Sequence, residues 1–153
     1  MENGLCIRRA TENDAESAYQ LITALGYPQL DRNDFGYIYK VVITHPESLI
    51  LLAENDEGQI IGLMTISHRP QLRLAGTILC IDELVVSNEA RGGGAGRALL
   101  EYAKQRAIEM KAERIELHTR RNRESYKRQF YIKNGFTEAN SALMRLEKTE
   151  FNI

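Results

Sequence analysis

A cluster of four glycines between a long apolar run and an amphipathic stretch constrains the fold of this chain more than any other feature. The apolar run, from Thr77 to Val86, is rich in β-branched residues and is typical of a central strand buried on both faces of a sheet. After the glycines, apolar residues recur at helical spacing from Ala95 to Met110. A strand, a glycine-rich turn and a helix therefore follow one another, which indicates an α/β fold.

The other segments predict the rest of a mixed sheet and its helices. Apolar runs and alternating patterns predict strands at residues 5–8, 48–53, 60–66, 77–86, 115–119, 136–138 and 143–146. Helical spacing and stop signals predict helices at about residues 11–25, 31–44, 95–110 and 126–133. Thr11 and Asp14 have the spacing of a capping box at the first helix. No linker or break in composition separates these segments, so we predict a single α/β domain across residues 1–153.

The glycine-rich segment has the chemistry of a phosphate-binding turn. Residues without a side chain let the backbone approach a ligand, and the first turn of a helix offers unpaired N–H groups at the positive end of its dipole. A Walker loop is absent, and the dinucleotide pattern G-x-G-x-x-G fails because Leu99 stands where its third glycine is needed. The alternative is a glycine turn that only joins the strand to the helix.

Charge is distributed unevenly along a chain whose net charge is −1. Residues 1–90 carry a net charge of −7, and residues 91–133 carry a net charge of +7. This distribution favours a local anionic ligand over a nucleic-acid backbone, although solvated helix faces are an alternative explanation. The basic run at residues 120–123 has no interleaved aromatic residues, so we expect no nucleic-acid partner.

The cysteines and histidines predict neither a disulfide scaffold nor a metal site. Cys6 and Cys80 lie in apolar runs, which is typical of buried, reduced thiols in a cytosolic protein. No pair of histidines has metal-ligand spacing, so we expect no metal. His68 begins a polar loop predicted at residues 69–76, where it has either a structural or an acceptor-binding role. No apolar run approaches the roughly 18 residues of a membrane span, and we expect a cytoplasmic protein with no membrane partner.

Three motifs together resemble one protein family. The segment from Arg91 to Gly96 resembles the R/Q-x-x-G-x-G/A motif of the GCN5-related N-acetyltransferase (GNAT) superfamily. Residues 83–86, Glu-Leu-Val-Val, resemble the central strand of that family, and residues 130–136 resemble its F-Y-x-x-x-G-F segment. The predicted order of elements is also the order of that family, from about residue 7 to residue 146. The chain is therefore similar to small bacterial members that act on primary amines, which implies the GNAT acyltransferase fold.

The resemblance implies that acetyl-CoA is the co-substrate and donates its acetyl group to an amine. The backbone of Val85 and Val86 would bond the pantetheine arm where the strand splays at a bulge, and one of their amides would stabilise the oxyanion. Asn122 falls near the asparagine with which relatives contact CoA. The pyrophosphate would be bound by the backbone amides and flanking arginines of the segment formed by Arg91, Gly92, Gly93, Gly94, Ala95, Gly96 and Arg97.

The resemblance also implies two residues for proton transfer, because an alkylammonium must lose a proton before it attacks and a departing thiolate gains from a proton donor. Tyr131 occupies the general-acid position, and its alternative role is that of a packed aromatic between Phe130 and Phe136. Glu83 is the candidate base, water relay or ammonium anchor, and its alternative role is a salt bridge to an arginine. Strand alternation predicts that Asp82 points to the opposite face.

These observations predict an acetyl-CoA-dependent N-acetyltransferase that acts on the primary amine of a small acceptor. The acidic N-terminal portion should build the acceptor side, so we expect a cationic acceptor. One alternative is a catalytically inactive acyl-CoA-binding regulatory module, against which the presence of both Glu83 and Tyr131 argues. A second alternative acetylates protein N-termini or lysines and needs an open peptide groove. Dimers are common among relatives, so the resemblance allows a homodimer.

Overall fold

Five strands pair in chain order into one mixed sheet. They are β1 (Cys6–Arg9), β2 (Ser48–Glu54), β3 (Ile60–Gln71), β4 (Gly76–Val86) and β5 (Arg114–Leu117). The strands β1 to β4 are antiparallel neighbours, whereas β5 runs parallel to β4 because a helix connects the two. The apolar run at residues 77–86 therefore forms a strand with neighbours on both sides, as its composition predicts.

Helices flank this sheet, and the predicted α/β class with a mixed sheet is confirmed. They are α1 (Ala15–Ala24), α2 (Arg32–Thr44) and α3 (Ala95–Glu109). Two short helices, α4 (Glu124–Lys127) and α5 (Phe130–Lys133), follow β5 along the chain. Short 3₁₀ turns lie at Glu12–Asp14, Leu72–Leu74, Asn88–Ala90 and Lys148–Glu150. The first three helices lie within a few residues of the predicted segments, because each has clear apolar periodicity and a clear start or stop signal.

The computed structural model describes residues 4–151. Contacts divide the chain into two compact units, residues 1–118 and residues 119–153. The first unit holds the whole sheet with α1, α2 and α3, and the second holds α4, α5 and the C-terminal segment. The single-domain organisation predicted for residues 1–153 stays a prediction.

The two faces of the sheet are covered by different helices. On one face, Leu63 of β3 and Val85 of β4 belong to a core cluster with residues of α1 and α2. On the other face, Gly62 lies against α3, since a Cβ at this glycine would be 3.3 Å from Leu99 Cδ1. Side chains alternate along a strand, so from Gly62 onward the odd-numbered residues of β3 share the face of α1 and α2, and the even-numbered residues share the face of α3.

Three sequence predictions need correction. The strands predicted at residues 136–138 and 143–146 are wrong, because no residue from 134 to 147 in the described part of the chain pairs into a ladder. The helix predicted at residues 126–133 is broken by Gln129, whose φ of +60° interrupts it. The loop predicted from residue 69 is still strand as far as Gln71, because β3 keeps its pairing with β4 to that point.

His68 therefore lies in β3 and not at the start of a loop. Its side chain is buried, and its backbone N–H donates to the carbonyl oxygen of Glu47 at 2.9 Å. Burial and the positive charge of Arg106 lower the pKa of His68, so the ring is neutral at neutral pH. The burial and the neutral ring favour the structural role over the acceptor-binding one.

A charged cluster at the start of α1 ties this helix to the first two strands. Arg8 of β1 donates two hydrogen bonds of 2.9 Å to the carboxylate of Asp14 and one of 2.7 Å to Glu54 of β2. Thr11 forms the predicted capping box with Asp14, whose carboxylate accepts the Thr11 N–H at 2.8 Å. The hydrogen bonds from Arg8 are the main cause that lowers the pKa of Asp14 to about 2.

We expect Asp14→Asn to lower the free energy of unfolding at pH 7 by about 1.5–3 kcal/mol, because Arg8 loses its charged partner. The folded-state pKa of Asp14 lies below its unfolded value, so its stabilising contribution is complete above about pH 4 and is lost as the pH falls toward 2. Urea unfolding from pH 7 to pH 2 should therefore give a flatter stability profile for this variant. Glu12→Gln, in the same turn, is the control, and equal profiles for the two variants would contradict the assignment.

Candidate active site

The glycine-rich turn lies between the end of β4 and the start of α3, and its backbone requires glycine. Gly92 and Gly94 have φ angles of +85° and +88°, a region that residues with a side chain rarely adopt. Gly94 is the N-cap residue of α3. At Gly93 a Cβ would lie 3.2 Å from the carbonyl oxygen of Ala90, so a side chain there would crowd the backbone. A purely connecting turn does not need this many constrained positions.

The first turn of α3 presents unpaired backbone amides. The first backbone hydrogen bond of the helix runs from the N–H of Ala98 to the carbonyl oxygen of Gly94 at 2.9 Å. The amides of Ala95, Gly96 and Arg97 precede that bond and have no helical acceptor. These amides and the positive end of the helix dipole favour a bound anion at this position.

Two exposed arginines flank the turn. Among residues 4–151, neither Arg91 nor Arg97 forms an ion pair with a carboxylate, so both guanidinium groups are available to an anionic ligand. The amides and the arginines together fit the pyrophosphate of CoA, because a diphosphate accepts both kinds of donor.

Beside this turn, β4 extends beyond its parallel partner. The pairing with β5 covers only Ile78–Ile81 of β4, and residues 83–86 are paired on the β3 side alone. The N–H of Ser87 donates to the carbonyl oxygen of Ile61 on the β3 side at 2.8 Å. Because backbone groups alternate in an antiparallel ladder, those of Val86 point away from β3 toward the open side. The backbone groups of Val85 point toward β3, and its side chain lies in the core.

This open stretch of backbone fits the pantetheine arm that the sequence assigns to it. An extended chain of amides can pair with the free N–H and C=O groups of a strand in the same way as a neighbouring strand would. Of the two valines expected to bond this arm, Val86 presents the open backbone groups.

A β-bulge in β4 determines where Glu83 lies. The pairing passes from Thr65 opposite Glu83 to Ile66 opposite Ile81, so Asp82 is the extra residue. The Thr65 hydroxyl accepts the N–H of Glu83 at 3.0 Å and donates to the Glu83 carboxylate. The structure therefore has a bulge at Asp82, and not at Val85 and Val86, where the resemblance implied it and where the pairing with β3 is regular.

Asp82 lies on the same face as Glu83, and the prediction that it points to the opposite face is wrong. The Oδ1 of Asp82 is 3.7 Å from Nη2 of Arg69. Arg69 and Thr65 are both odd-numbered residues of β3 and share one face of the sheet. Since Asp82 contacts Arg69 and Glu83 contacts Thr65, the two carboxylates lie on that face together. The extra residue of the bulge breaks the alternation on which the prediction was based.

The environment of Glu83 suits a general base. Burial raises the pKa of its carboxyl to about 7, and the negative charge of Asp82 adds to the rise. A carboxyl with this pKa is partly ionised at neutral pH and accepts or releases a proton readily. The alternative role, a salt bridge to an arginine, belongs instead to Asp82 within the described residues, because Arg69 contacts Asp82 and Thr65 contacts Glu83.

Tyr131, in the second unit, has the protonation state that a general acid needs. Its ring makes edge contacts with Phe130 and Phe136, at centroid distances of 5.1 and 6.0 Å. Burial raises the pKa of the phenol, and the positive charges of Arg123 and Arg128 partly oppose that rise. The phenol therefore stays protonated at neutral pH. These contacts fit both the general acid and the packed aromatic, and its catalytic role stays a prediction.

Asn122 lies exposed in the loop between β5 and α4, also in the second unit. Beside it, Arg121 donates two hydrogen bonds, of 3.1 and 2.6 Å, to the carboxylate of Glu138, which also accepts the Tyr126 hydroxyl at 2.9 Å. These bonds fasten the loop to the C-terminal segment. The contact of Asn122 with CoA stays a prediction.

Sequence reasoning missed two side chains of this site, Thr65 and Arg69. Both lie on β3, and only the register of β3 against β4 brings them to the two carboxylates. The one local signal was a hydroxyl residue at position 65 in an otherwise apolar run.

Two expected absences remain expectations. The described residues bring together no group of three or more His, Cys, Asp and Glu side chains that could hold a metal. None of the helices formed by residues 4–151 combines the length and apolar character that a membrane crossing requires.

Comparison with known proteins identifies the class to which this fold and site belong. The model of the acetyltransferase (GNAT) family matches residues 11–136. The chain therefore belongs to the GNAT family, as its three motifs predict, and is an acetyl-CoA-dependent N-acetyltransferase. Acetyl-CoA is the co-substrate of this family.

Two curated relatives agree with this assignment, and a solved structure has a similar fold. Aminoalkylphosphonate N-acetyltransferase of Salmonella typhimurium is 32% identical over 133 residues, which cover 87% of this chain and 85% of that protein. L-2,4-diaminobutyric acid acetyltransferase of Chromohalobacter salexigens is 32% identical over 97 residues, 63% of this chain and 47% of that one. A solved structure described as a transcriptional regulator from Bacillus halodurans C-125 has a TM-score of 0.84 at 25% identity and covers 94% of this chain and 99% of its own.

We expect Gly96→Glu to weaken CoA binding at least 100-fold, because a carboxylate would enter the space of the pyrophosphate and repel it. Gly96 has no positive φ, so this substitution does not strain the backbone. Gly94→Glu should have the same effect, with added strain at its φ of +88°. Isothermal titration of CoA into each variant measures the loss.

Lys104→Gln is the matched control, since it lies on the same helix and changes the net charge by the same amount. It should bind CoA as the unmodified protein does. A folded Gly96→Glu variant with unchanged CoA affinity would remove the pyrophosphate site from this turn.

Proposed function

We propose that this enzyme transfers the acetyl group of acetyl-CoA to the primary amine of a small acceptor. The observation that carries the proposal is Glu83, a carboxyl with a pKa of about 7 on the strand whose backbone is open beyond Ile81. A base in this position is what an amine acceptor requires, because the amine is protonated at neutral pH and must lose a proton before it attacks.

The relatives support an acceptor of this size. One acts on aminoalkylphosphonates and the other on L-2,4-diaminobutyric acid, and both acceptors are small primary amines that also carry an anionic group. The sequence predicts a cationic acceptor. In the proposal this positive charge is the ammonium group, which the carboxylates of Asp82 and Glu83 attract.

The proposed proton transfers balance the reaction. Acetyl-CoA supplies a thioester carbonyl, at which a C–N bond forms and the C–S bond breaks. Glu83 takes the proton that the ammonium loses before attack, directly or through one water, and Tyr131 donates a proton to the departing thiolate. The nitrogen loses a second proton once the C–N bond has formed, and this proton restores the Tyr131 phenol through solvent. The amides of residues 92–97 and the backbone of residues 84–86 bind the co-substrate. Each of these roles rests on the resemblance to the family together with the local environment of the residue.

Two further features belong to the proposal. Cys6 and Cys80 are free thiols, which supports the expected cytoplasmic location. Cys80 is buried as predicted, whereas the predicted burial of Cys6 is wrong, because its side chain is exposed near the start of the edge strand β1. The homodimer that the resemblance allows stays a prediction.

We expect Glu83→Gln to lower kcat/KM by roughly 10²–10⁴-fold, because the variant cannot accept the amine proton. In the unmodified enzyme, kcat/KM should fall as the pH drops below about 7, since protonation of Glu83 removes the base. Asp82→Asn should move this acidic limb of the pH profile of kcat/KM to lower pH, because the loss of the Asp82 charge lowers the pKa of Glu83. Release of free thiol from acetyl-CoA across pH 5–9 measures both effects.

Two acceptors with different amine pKa values distinguish the ionisation of Glu83 from the ionisation of the acceptor in this experiment. A limb that stays near pH 7 with both acceptors belongs to Glu83, whereas a limb that moves with the acceptor belongs to the amine. Glu57→Gln, in the exposed turn between β2 and β3, is the control and should change nothing. Normal turnover in folded Glu83→Gln would exclude the base assignment.

We expect Tyr131→Phe to lower kcat by roughly 10²–10⁴-fold while acetyl-CoA binding and the melting temperature change little, because the ring and its packing remain. Tyr37→Phe, on the exposed face of α2, is the matched control. If Tyr131 is only a packed aromatic, both variants will turn over at the normal rate.

The same assays distinguish the alternative functions. Tight CoA binding without thiol release, for any small amine or peptide, would identify a regulatory acyl-CoA-binding module; the similar structure described as a transcriptional regulator makes this comparison worthwhile. Acetylation of peptides in preference to small amines would identify a protein N-acetyltransferase.

A further inference from the structure

Arg69 places a positive charge beside the two carboxylates of the proposed acceptor site. It lies near the end of β3, on the face that carries Thr65, and its Nη2 atom is 3.7 Å from Oδ1 of Asp82. It also lies beside the thiol of Cys80: burial raises the pKa of this thiol, and the Arg69 charge partly opposes the rise. The guanidinium group therefore extends along the sheet toward the bulge.

Most hydrogen-bonding capacity of this guanidinium is unused. An arginine has five N–H donors, and the Asp82 contact of 3.7 Å is longer than a hydrogen bond. The side chain is 56% exposed, so a ligand can reach it. Nearby Arg73 and Arg114 each donate one hydrogen bond to a side-chain oxygen, of Gln71 and of Glu116, whereas the contact of Arg69 with the Asp82 carboxylate is longer.

The charged side chains on this face follow one another in order. The positive group of Arg69 comes first, and the negative groups of Asp82 and Glu83 follow it. A molecule that carries an ammonium and an oxyanion, joined by a short alkyl chain, has the complementary order of charges. The planar fork of a guanidinium binds two oxygens of a phosphonate or a carboxylate at once, which a single-point charge cannot do.

We propose that Arg69 binds an anionic group of the acceptor, so that the enzyme selects primary amines that carry a phosphonate, phosphate or carboxylate a short alkyl chain away from the nitrogen. Arg69 is in this sense the residue that determines acceptor specificity, and Asp82 separates it from Glu83, the base. The inference rests on the proposed function and specifies its substrate class.

The test compares two acceptors of similar length, 2-aminoethylphosphonate and n-propylamine, in the unmodified enzyme and in variants. Arg69→Gln should lower kcat/KM for 2-aminoethylphosphonate by about 10- to 100-fold, mainly through KM, because hydrogen bonds to a charged group are lost. It should leave kcat/KM for n-propylamine within about threefold. Arg69→Lys should recover part of the loss, because it keeps the charge without the fork.

Arg73→Gln is the matched control, since this arginine lies in the following 3₁₀ turn and its partner is Gln71. It should leave both acceptors unaffected. The ratio of the two kcat/KM values cancels any effect that a variant has on Glu83 or on folding. 3-Aminopropionate, a carboxylate of the same length, shows whether the preference extends beyond phosphonates.

Each outcome is decisive. An equal loss for both acceptors in Arg69→Gln means that Arg69 has only a structural role, and no loss for 2-aminoethylphosphonate means that it does not bind the anion; either result overturns the inference. An unmodified enzyme that acetylates n-propylamine as well as 2-aminoethylphosphonate overturns the inference and leaves the proposed function intact. An enzyme that acetylates no amine overturns both.

Discussion

The extra residue in β4 is the constraint on which the rest of the candidate site depends. Because Asp82 has no partner on β3, the strand changes its alternation between Ile81 and Glu83. The bulge therefore places two adjacent carboxylates on one face, whereas regular alternation would direct one of them toward the face of α3. That face is covered by Leu99 and Leu100, among which an unpaired carboxylate would be strongly unfavourable.

The two halves of β4 have different roles for a related reason. Up to Ile81 the strand has a neighbour on each side and buries its side chains, so this half stabilises the sheet. Beyond Ile81 the pairing with β5 ends, and the free peptide groups on that side need another partner, because unpaired backbone groups are unfavourable when they are buried. A ligand with amide groups meets this need. The glycine turn follows at once, so the place where the ladder ends adjoins the place where the helix offers free amides.

The sequence predicted the parts of this arrangement that depend on local pattern. Apolar periodicity located the five strands and the three long helices, and the glycine cluster located the phosphate-type turn. A local sequence pattern does not give the register between two strands. Neither the contact of Thr65 with Glu83 nor that of Arg69 with Asp82 could therefore be predicted from the residues themselves. The strands predicted in the C-terminal segment were wrong, although Leu143 and Leu146 have strand-like composition. Composition does not specify a pairing partner, and a strand forms only when it has one.

Two carboxyl groups of this chain illustrate how environment separates stability from chemistry. Asp14 receives two hydrogen bonds from Arg8 and one from a backbone N–H, which hold its pKa near 2 and keep it ionised and inert. Glu83 has a neutral hydroxyl as its partner and lies beside a second negative charge, and burial raises its pKa to about 7.

The sign of the Glu83 shift matters for the fold. Because the folded-state pKa lies above the unfolded value, ionisation of Glu83 destabilises the folded chain as the pH rises from about 4.5 toward 7 and above. A cationic partner would lower the pKa of Glu83 and so remove that instability. It would also remove the capacity of Glu83 to take up a proton near neutral pH. At the bulge, Nη2 of Arg69 lies 3.7 Å from Oδ1 of Asp82, and no arginine among the described residues pairs with Glu83, so the pKa of Glu83 stays high. In the function that we propose, one charge of each sign is available to an acceptor, so the proposed specificity and the proposed basicity of this site both depend on a single backbone irregularity.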